Sequence, residues 1–109
     1  MITRESIIDA FKKNFVDMFC GEERVSLHPH LCENYYMDYE MHDGELYCYE
    51  LEDGIKTGAR AEDLTNRKLY VFIDELMSML ETRARREYHS GIARQLRNLR
   101  EDIRKALLN

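Results

Sequence analysis

The chain has 109 residues, of which 44% are hydrophobic and 34% charged, with three cysteines. This composition excludes a disordered chain, which lacks the apolar residues needed to offset the entropy lost on ordering. An odd number of irregularly spaced cysteines argues against a disulfide scaffold, so we expect one domain over residues 1–109 with reduced thiols.

The formal charge of −5 is unevenly distributed along the chain. Residues 1–63 carry 6 Lys/Arg against 15 Asp/Glu, a net of −9, whereas residues 64–109 carry 10 against 6, a net of +4. Neither a basic leader followed by an apolar segment nor an apolar run approaching ~18 residues is present. We therefore expect no signal peptide and no membrane span, and a cytoplasmic location.

The first predicted element is a helix from about Arg4 to Cys20, with Thr3 as its N-cap and Gly21 beyond its end. Its apolar residues recur at helical spacing and predict a buried face. They are Ile7, Ile8, Phe11, Phe15, Met18 and Phe19. A loop follows, with a short extended piece at residues 25–27.

Residues 35–51 predict a β-hairpin around a two-residue type I′ turn at Asp43-Gly44. That turn fixes the register of the hairpin, because the numbers of any two opposed residues then add up to the same value. The pairs on one face are Met41 with Leu46, Tyr39 with Cys48 and Met37 with Glu50. This face is expected to pack in the core. The other carries carboxylates interleaved with phenols, namely Tyr36, Asp38, Glu40, His42, Glu45, Tyr47 and Tyr49 together with Leu51.

Two strands are marginally stable in water, so a third is expected near Val25 or within residues 54–60. A second helix is predicted from about Asp63 or Thr65, and a third over residues 91–108 with Ser90 as its cap. The fold class is therefore α+β: an N-terminal helix, a small antiparallel sheet built on the hairpin, and C-terminal helices packed on it. The apolar periodicity continues through Ser90-Gly91, so the last two helices form either a helical hairpin or one long arm that favours a homodimer.

The densest group of candidate metal ligands is His28, His30 and Cys32 on an extended segment. A zinc ion needs four ligands, which Cys20, His42 or Cys48 would have to complete. The spacing matches no repeated zinc-binding pair, so loop histidines and buried thiols are the favoured interpretation and no cofactor is expected. Neither Gly44 nor Gly54 fits the sixth position of an EF-hand loop, which excludes that calcium site.

No pattern indicates catalysis. Carboxylates on an exposed strand face keep ordinary pKa values and do no acid–base chemistry. No phosphate-binding loop or dinucleotide fingerprint is present, and no Cys–His arrangement is indicated. The chain is therefore predicted to be a non-enzyme.

The leading hypothesis is a protein-binding module that engages a basic partner. Residues 33–53 contain eight carboxylates and five tyrosines without one Lys or Arg. Spaced carboxylates can occupy arginines that normally bind phosphate, and tyrosine supplies rigid contact area. In composition this fifth of the chain resembles the nucleic-acid-mimicking inhibitors of phages and mobile elements. The expected contact residues are Tyr36, Asp38, Glu40, Glu45, Tyr47 and Tyr49.

The alternative is a nucleic-acid-binding or transcription-regulatory protein that uses its Arg-rich C-terminal helix, either as a monomer or as a helix-mediated homodimer. Arginine binds phosphate through two parallel hydrogen bonds, and cations on one helix face suit a phosphate backbone. The candidate residues are Arg83, Arg86, Arg94, Arg97 and Arg104. A solvated helix face is the simpler interpretation of the same arginines.

Overall fold

The computed structural model describes residues 2–29 and 34–109. The fold is α+β, as predicted, with four strands and three α-helices among these residues. In chain order they are α1 (Arg4–Met18), β1 (Arg24–Leu27), β2 (Tyr35–His42), β3 (Glu45–Glu52), β4 (Ile55–Arg60), a 3₁₀ turn (Ala61–Asp63), α2 (Asn66–Arg86) and α3 (Ser90–Leu108).

The chain forms two compact units. We call Glu5–Thr65 the sheet unit, and residues up to Arg4 together with Asn66–Asn109 the helical unit. Their net charges have opposite signs. The sheet unit carries 5 Lys/Arg against 15 Asp/Glu, a net of −10, and the helical unit carries 11 against 6, a net of +5.

The sheet is an antiparallel meander in the order β1-β2-β3-β4. The predicted hairpin register is confirmed, with Met41 opposite Leu46 and Tyr39 opposite Cys48. Asp43 and Gly44 both have positive φ, as a type I′ turn requires. Both places proposed for a third strand are occupied, because the extended piece at Val25 is part of β1 and residues 55–60 form β4. A second turn with two positive φ angles, Asp53-Gly54, joins β3 to β4.

One face of the sheet is buried, as the alternation predicts. The buried apolar strand residues are Met37, Tyr39, Leu46 and Cys48, and α1 contributes Ile7, Ile8, Phe11 and Phe15 to the buried set. Met41, also predicted to pack, is only half-buried. Lys12 on α1 lies 3.0 Å from a Glu45 oxygen on β3 and 2.7 Å from a Glu62 oxygen in the 3₁₀ turn. These ion pairs connect α1 to β3 and to the 3₁₀ turn within the sheet unit.

The helical unit is an antiparallel pair, so the alternative of one uninterrupted 40-residue arm is wrong. The α2 helix ends at Arg86, and two residues later Tyr88 adopts a left-handed φ of 63°. The His89 N–H then donates to the Ala84 carbonyl at 2.8 Å, a bond that closes a helix C-terminus. Ser90 begins α3 and is not its cap, which is His89.

Within α3 the predicted apolar stripe is only partly covered. Ile103 and Leu107 are buried, whereas Ile92 and Leu99 are exposed. No helix in the described part of the chain is long and apolar enough to cross a membrane.

Candidate functional site

The antiparallel register places the expected contact residues on one side of the sheet, together with side chains from the flanking strands. Arg24 lies opposite Glu40, Lys56 opposite Leu51 and Arg60 opposite Tyr47. We call this surface the tyrosine face. It comprises Arg24, Ser26, Tyr36, Asp38, Glu40, His42, Glu45, Tyr47, Tyr49, Leu51, Lys56, Gly58 and Arg60.

Asp38 does not have the solvent exposure expected of it. Its side chain is 0% exposed, because β1 and β3 flank it on either side. Arg24 Nε donates to Asp38 Oδ1 at 3.1 Å, Ser26 Oγ donates to the same oxygen at 2.9 Å, and Arg24 Nη2 lies 3.0 Å from Oδ2. Burial raises the pKa of this carboxyl, but the bonds from Arg24 and Ser26 outweigh burial and hold the pKa below its ordinary value. Asp38 is therefore an internal charge and not a contact residue.

Glu40 and Glu45 are also engaged inside the sheet unit. Lys56 Nζ donates to Glu40 Oε2 at 3.1 Å, and His42 Nε2 lies 3.0 Å from Glu40 Oε1. Glu45 is bound by Lys12. With Arg24, Lys56 and Arg60 present, the tyrosine face carries three bases against three acids. The face is therefore close to neutral, although residues 33–53 contain no base.

The tyrosines of this face lie in a preorganised row. The Tyr47 and Tyr49 rings are nearly parallel, with centroids 6.2 Å apart, and Lys56 Nζ lies 4.1 Å from the Tyr49 centroid. The His42 ring meets Tyr47 edge-on at 5.5 Å. Because the rings are held by neighbours and only partly exposed, they supply contact area with little side-chain entropy left to lose.

Gly58 explains how the Tyr49 ring comes to lie against β4. A Cβ at position 58 would stand 2.9 Å from Tyr49 Cδ1 and 2.2 Å from the Cys48 carbonyl oxygen. Any side chain there would displace the ring or the strand. At the other edge of the face, the His28 ring packs against Tyr36 with centroids 5.3 Å apart.

Sequence reasoning missed five members of this site: Arg24, Ser26, Lys56, Gly58 and Arg60. The signal for the three on β4 was the second Asp-Gly dipeptide, Asp53-Gly54, which predicts a turn between two strands as strongly as Asp43-Gly44 does. It places β4 beside β3. No comparable signal fixes β1, because no short turn motif joins it to β2.

The metal-site candidates cannot be assembled from the described residues. His28 is engaged with Tyr36, whereas His30 and Cys32 lie outside the described part of the chain. No three metal-ligating side chains come together within residues 2–29 and 34–109. Cys48 is buried on the core face, and burial raises the pKa of its thiol to about 12, so it is not a thiolate near neutral pH.

The arginines of the helical unit divide into paired and unpaired groups. Arg100 binds Asp74 through Nε at 3.0 Å and Nη2 at 3.3 Å, and donates from Nη1 to Glu81 at 3.2 Å. Among the five nucleic-acid candidates, Arg97 lies 3.7 Å from Glu81 and Arg104 is held by Glu101. Arg86 and Arg94 are exposed and make no ion pair with any described residue.

Comparison with known proteins provides no further constraint on this site. No protein-family model matches the chain, and no match was found among curated proteins or among solved structures.

Proposed function

We propose that the protein is a non-catalytic binding module whose contact surface is the tyrosine face and whose partner is a protein with a basic surface. The observation that carries this proposal is the preorganised row of Tyr47 and Tyr49, fixed by Gly58 and Lys56. Tyrosine is enriched at the centres of protein interfaces because one rigid ring combines apolar area with a polar end.

The sign of the partner's charge is inferred from the sheet unit as a whole. The tyrosine face is neutral, but the unit carries −10, and exposed carboxylates lie at the ends of its strands. They include Glu22 and Glu23 before β1, Asp43 in the first turn, and Glu52 and Asp53 at the second. An aromatic centre with an acidic rim suits a partner whose own contact surface is ringed by lysine and arginine.

The form of this function that we favour is inhibition of a nucleic-acid-binding protein. Such a protein presents arginines to phosphate, and carboxylates on the rim can accept the same hydrogen bonds. A target held in this way would lose its nucleic acid through competition for one surface.

Affinity capture from the native host tests the proposal. Immobilised full-length chain is compared with the double variant Tyr47→Ala/Tyr49→Ala, and retained proteins are identified by mass spectrometry. We expect at least one basic protein to bind the unsubstituted chain and to be depleted roughly 100-fold or more with the double variant, because central aromatic anchors contribute about 2 kcal/mol or more each.

Tyr88→Ala is the matched control, because it removes an exposed tyrosine from the helical unit and leaves the sheet unchanged. It should retain the same basic protein as the unsubstituted chain. If every retained protein binds the double variant equally well, the tyrosine face is not the contact surface.

A second candidate function is nucleic-acid binding by the helical unit. The net charge of +5 and the unpaired, exposed Arg86 and Arg94 favour it. Filter binding of DNA and RNA across a salt series provides the test, since each phosphate contact adds close to one to the negative slope of log K against log salt. Retention that falls steeply with salt and is weakened by Arg86→Gln/Arg94→Gln would support this function. Absence of retention at low salt would exclude it.

A further inference from the structure

The connection between α2 and α3 exposes an aromatic side chain that the fold does not require. Tyr88 is 94% exposed and its φ is 63°, in the left-handed region where glycine or asparagine is favoured over a bulky residue. A tyrosine at this position is conformationally unfavourable and buries almost no area. Its presence therefore calls for a contact outside its own helical unit.

The surroundings of Tyr88 are those of a protruding contact point. Ile92, in the first turn of α3, is 50% exposed, and Arg86 precedes Tyr88 with no ion-pair partner among the described residues. The tip, which we define as Arg86, Tyr88 and Ile92, combines a basic, an aromatic and an aliphatic side chain, and the exposed Glu87 lies between the first two in the sequence. This combination is enriched at protein interfaces.

The sheet unit carries a cleft of complementary character. It has a volume of about 480 Å³, in the size range of pockets that admit a small ligand or a side chain. Val16 and Met41 supply apolar wall, and Glu23 and Asp43 place two carboxylates on its lining. Neither carboxylate has an ion-pair partner within the described residues, so both are available to a cation. The remaining lining residues are His42 and Gly44.

We propose that the tip of one copy docks in this cleft of a second copy, with the Tyr88 ring between Val16 and Met41 and the Arg86 guanidinium against Glu23 and Asp43. Charge complementarity favours a second copy as the occupant of the cleft. The chain itself supplies both a unit with a net charge of +5 that bears the tip and a unit with a net charge of −10 that bears the cleft. The two surfaces differ, so the contact is heterologous and links the copies head to tail or reciprocally. It uses neither Tyr47 nor Tyr49, but it shares Glu23 and Asp43 with the acidic rim of the proposed function. The Tyr47→Ala/Tyr49→Ala variant keeps both carboxylates and should still associate, so failure of one proposal is distinguishable from failure of the other.

Sedimentation velocity over a range of concentrations at low salt tests the proposal. The mass should rise above the 13.1 kDa of one chain as concentration increases. In about 1 M salt, where the screening length is near 3 Å, the association should weaken. Tyr88→Ser and, separately, Glu23→Gln/Asp43→Asn should each give a monomer. Ile55→Ser, which removes another exposed apolar side chain, on β4, should associate as the unsubstituted chain does.

Mixing the two defective variants gives the discriminating result. The Tyr88→Ser chain retains an intact cleft, and the Glu23→Gln/Asp43→Asn chain retains an intact tip, so an equimolar mixture should form dimers that neither variant forms alone. A mixture that stays monomeric would overturn the proposal, and so would a contact between two tips, in which the Glu23→Gln/Asp43→Asn chain would still dimerise with itself. A chain that is monomeric at every concentration, or either variant associating as the unsubstituted chain does, would overturn it as well. Far-UV circular dichroism establishes that each variant is folded.

Discussion

Asp38 and Tyr49 lie opposite each other on neighbouring strands, and they show how two residues of one sequence pattern acquire different roles. Tyr49 remains partly exposed against Gly58, whereas Asp38 is covered by Arg24 and Ser26 from β1. A buried carboxylate is tolerated when cationic and hydroxyl donors replace its water. The charge of Asp38 therefore stabilises the β1–β2 pairing and is not available to a partner.

The replacement Asp38→Asn should lower the free energy of unfolding by about 2 kcal/mol at neutral pH, because it removes the charge from a buried carboxylate that accepts bonds from Arg24 and Ser26. The folded-state pKa of Asp38 is lowered, so its stabilisation is complete above the ordinary aspartate pKa of ~3.9 and is lost as pH falls through the folded-state value. The difference between the two proteins should therefore shrink in acid. Urea unfolding at a series of pH values measures it.

Asp9→Asn provides the comparison for the pH series, because Asp9 is exposed on α1. This variant should unfold within about 0.5 kcal/mol of the unsubstituted protein. A stability difference for Asp38→Asn that persisted undiminished at the lowest pH would show that the carboxylate charge is not what stabilises the pairing.

Gly58→Ala should destabilise the sheet by about 2 kcal/mol or more, because the added methyl meets the backbone of Cys48 and Tyr49, which cannot move as a flexible side chain can. Gly91→Ala is the matched substitution in α3, where nothing lies within 4 Å of the new Cβ. It should stabilise the protein by up to about 1 kcal/mol through helix propensity. Chemical unfolding of both variants provides the measurement, and equal effects would refute the packing argument.

At the scale of elements, α2 and α3 are held together by charge as well as by apolar contact. Glu81 on α2 is 6% exposed, and Arg100 on α3 bridges it to Asp74. Glu81 Oε1 lies 3.7 Å from both Arg85 Nη2 and Arg97 Nε, beyond hydrogen-bond distance. Arg100 is therefore the principal partner of a carboxylate that the helices bury.

Arg100→Ala should reduce the free energy of unfolding by about 3 kcal/mol, since it leaves Glu81 buried without its bonded cation. Arg104→Ala, one turn further along α3, removes a pair with the exposed Glu101 and should leave the stability nearly unchanged, because water screens an exposed pair. Thermal and urea unfolding followed by circular dichroism compare the two variants. Similar losses of unfolding free energy in the two variants would mean that the burial of Glu81 does not determine how strongly its pair with Arg100 stabilises the protein.

Local chemistry determines which elements could be predicted from the sequence. The Asp43-Gly44 turn specifies one register, and alternation on both strands agrees with it, so every pair of the central hairpin was predictable. The second hairpin has the same turn, but Ile55, Thr57 and Ala59 give β4 only a weak apolar alternation. The helix break was ambiguous because it occurs at Tyr88, a residue that rarely ends a helix, and not at Gly91.

At the scale of the whole molecule, the two units carry net charges of opposite sign. The net charges of residues 1–63 and 64–109 already indicated this difference in the sequence. The neutrality of the tyrosine face could not be predicted in the same way, because its cations come from β1 and β4, outside the acidic stretch. Burial of Asp38 likewise depends on the pairing of β1 with β2, which no turn motif in the sequence indicates. Composition predicted the negative net charge of the sheet unit, but only the strand order revealed which of its carboxylates are already paired with cations of the same unit.

The replacement Tyr88→Gly separates the stability of the fold from the association of the whole molecule. Glycine adopts a φ of 63° without the steric penalty that tyrosine pays, so the variant should gain about 1 kcal/mol in free energy of unfolding. It also removes the ring that we propose enters the cleft of a second copy, so the same variant should sediment as a monomer. Unfolding measured at a concentration too low for association isolates the first effect, and sedimentation at high concentration isolates the second. If Tyr88 makes no contact between copies, glycine should raise the stability and leave the association unchanged. If Tyr88 is the contact residue that we propose, glycine should raise the stability and abolish the association.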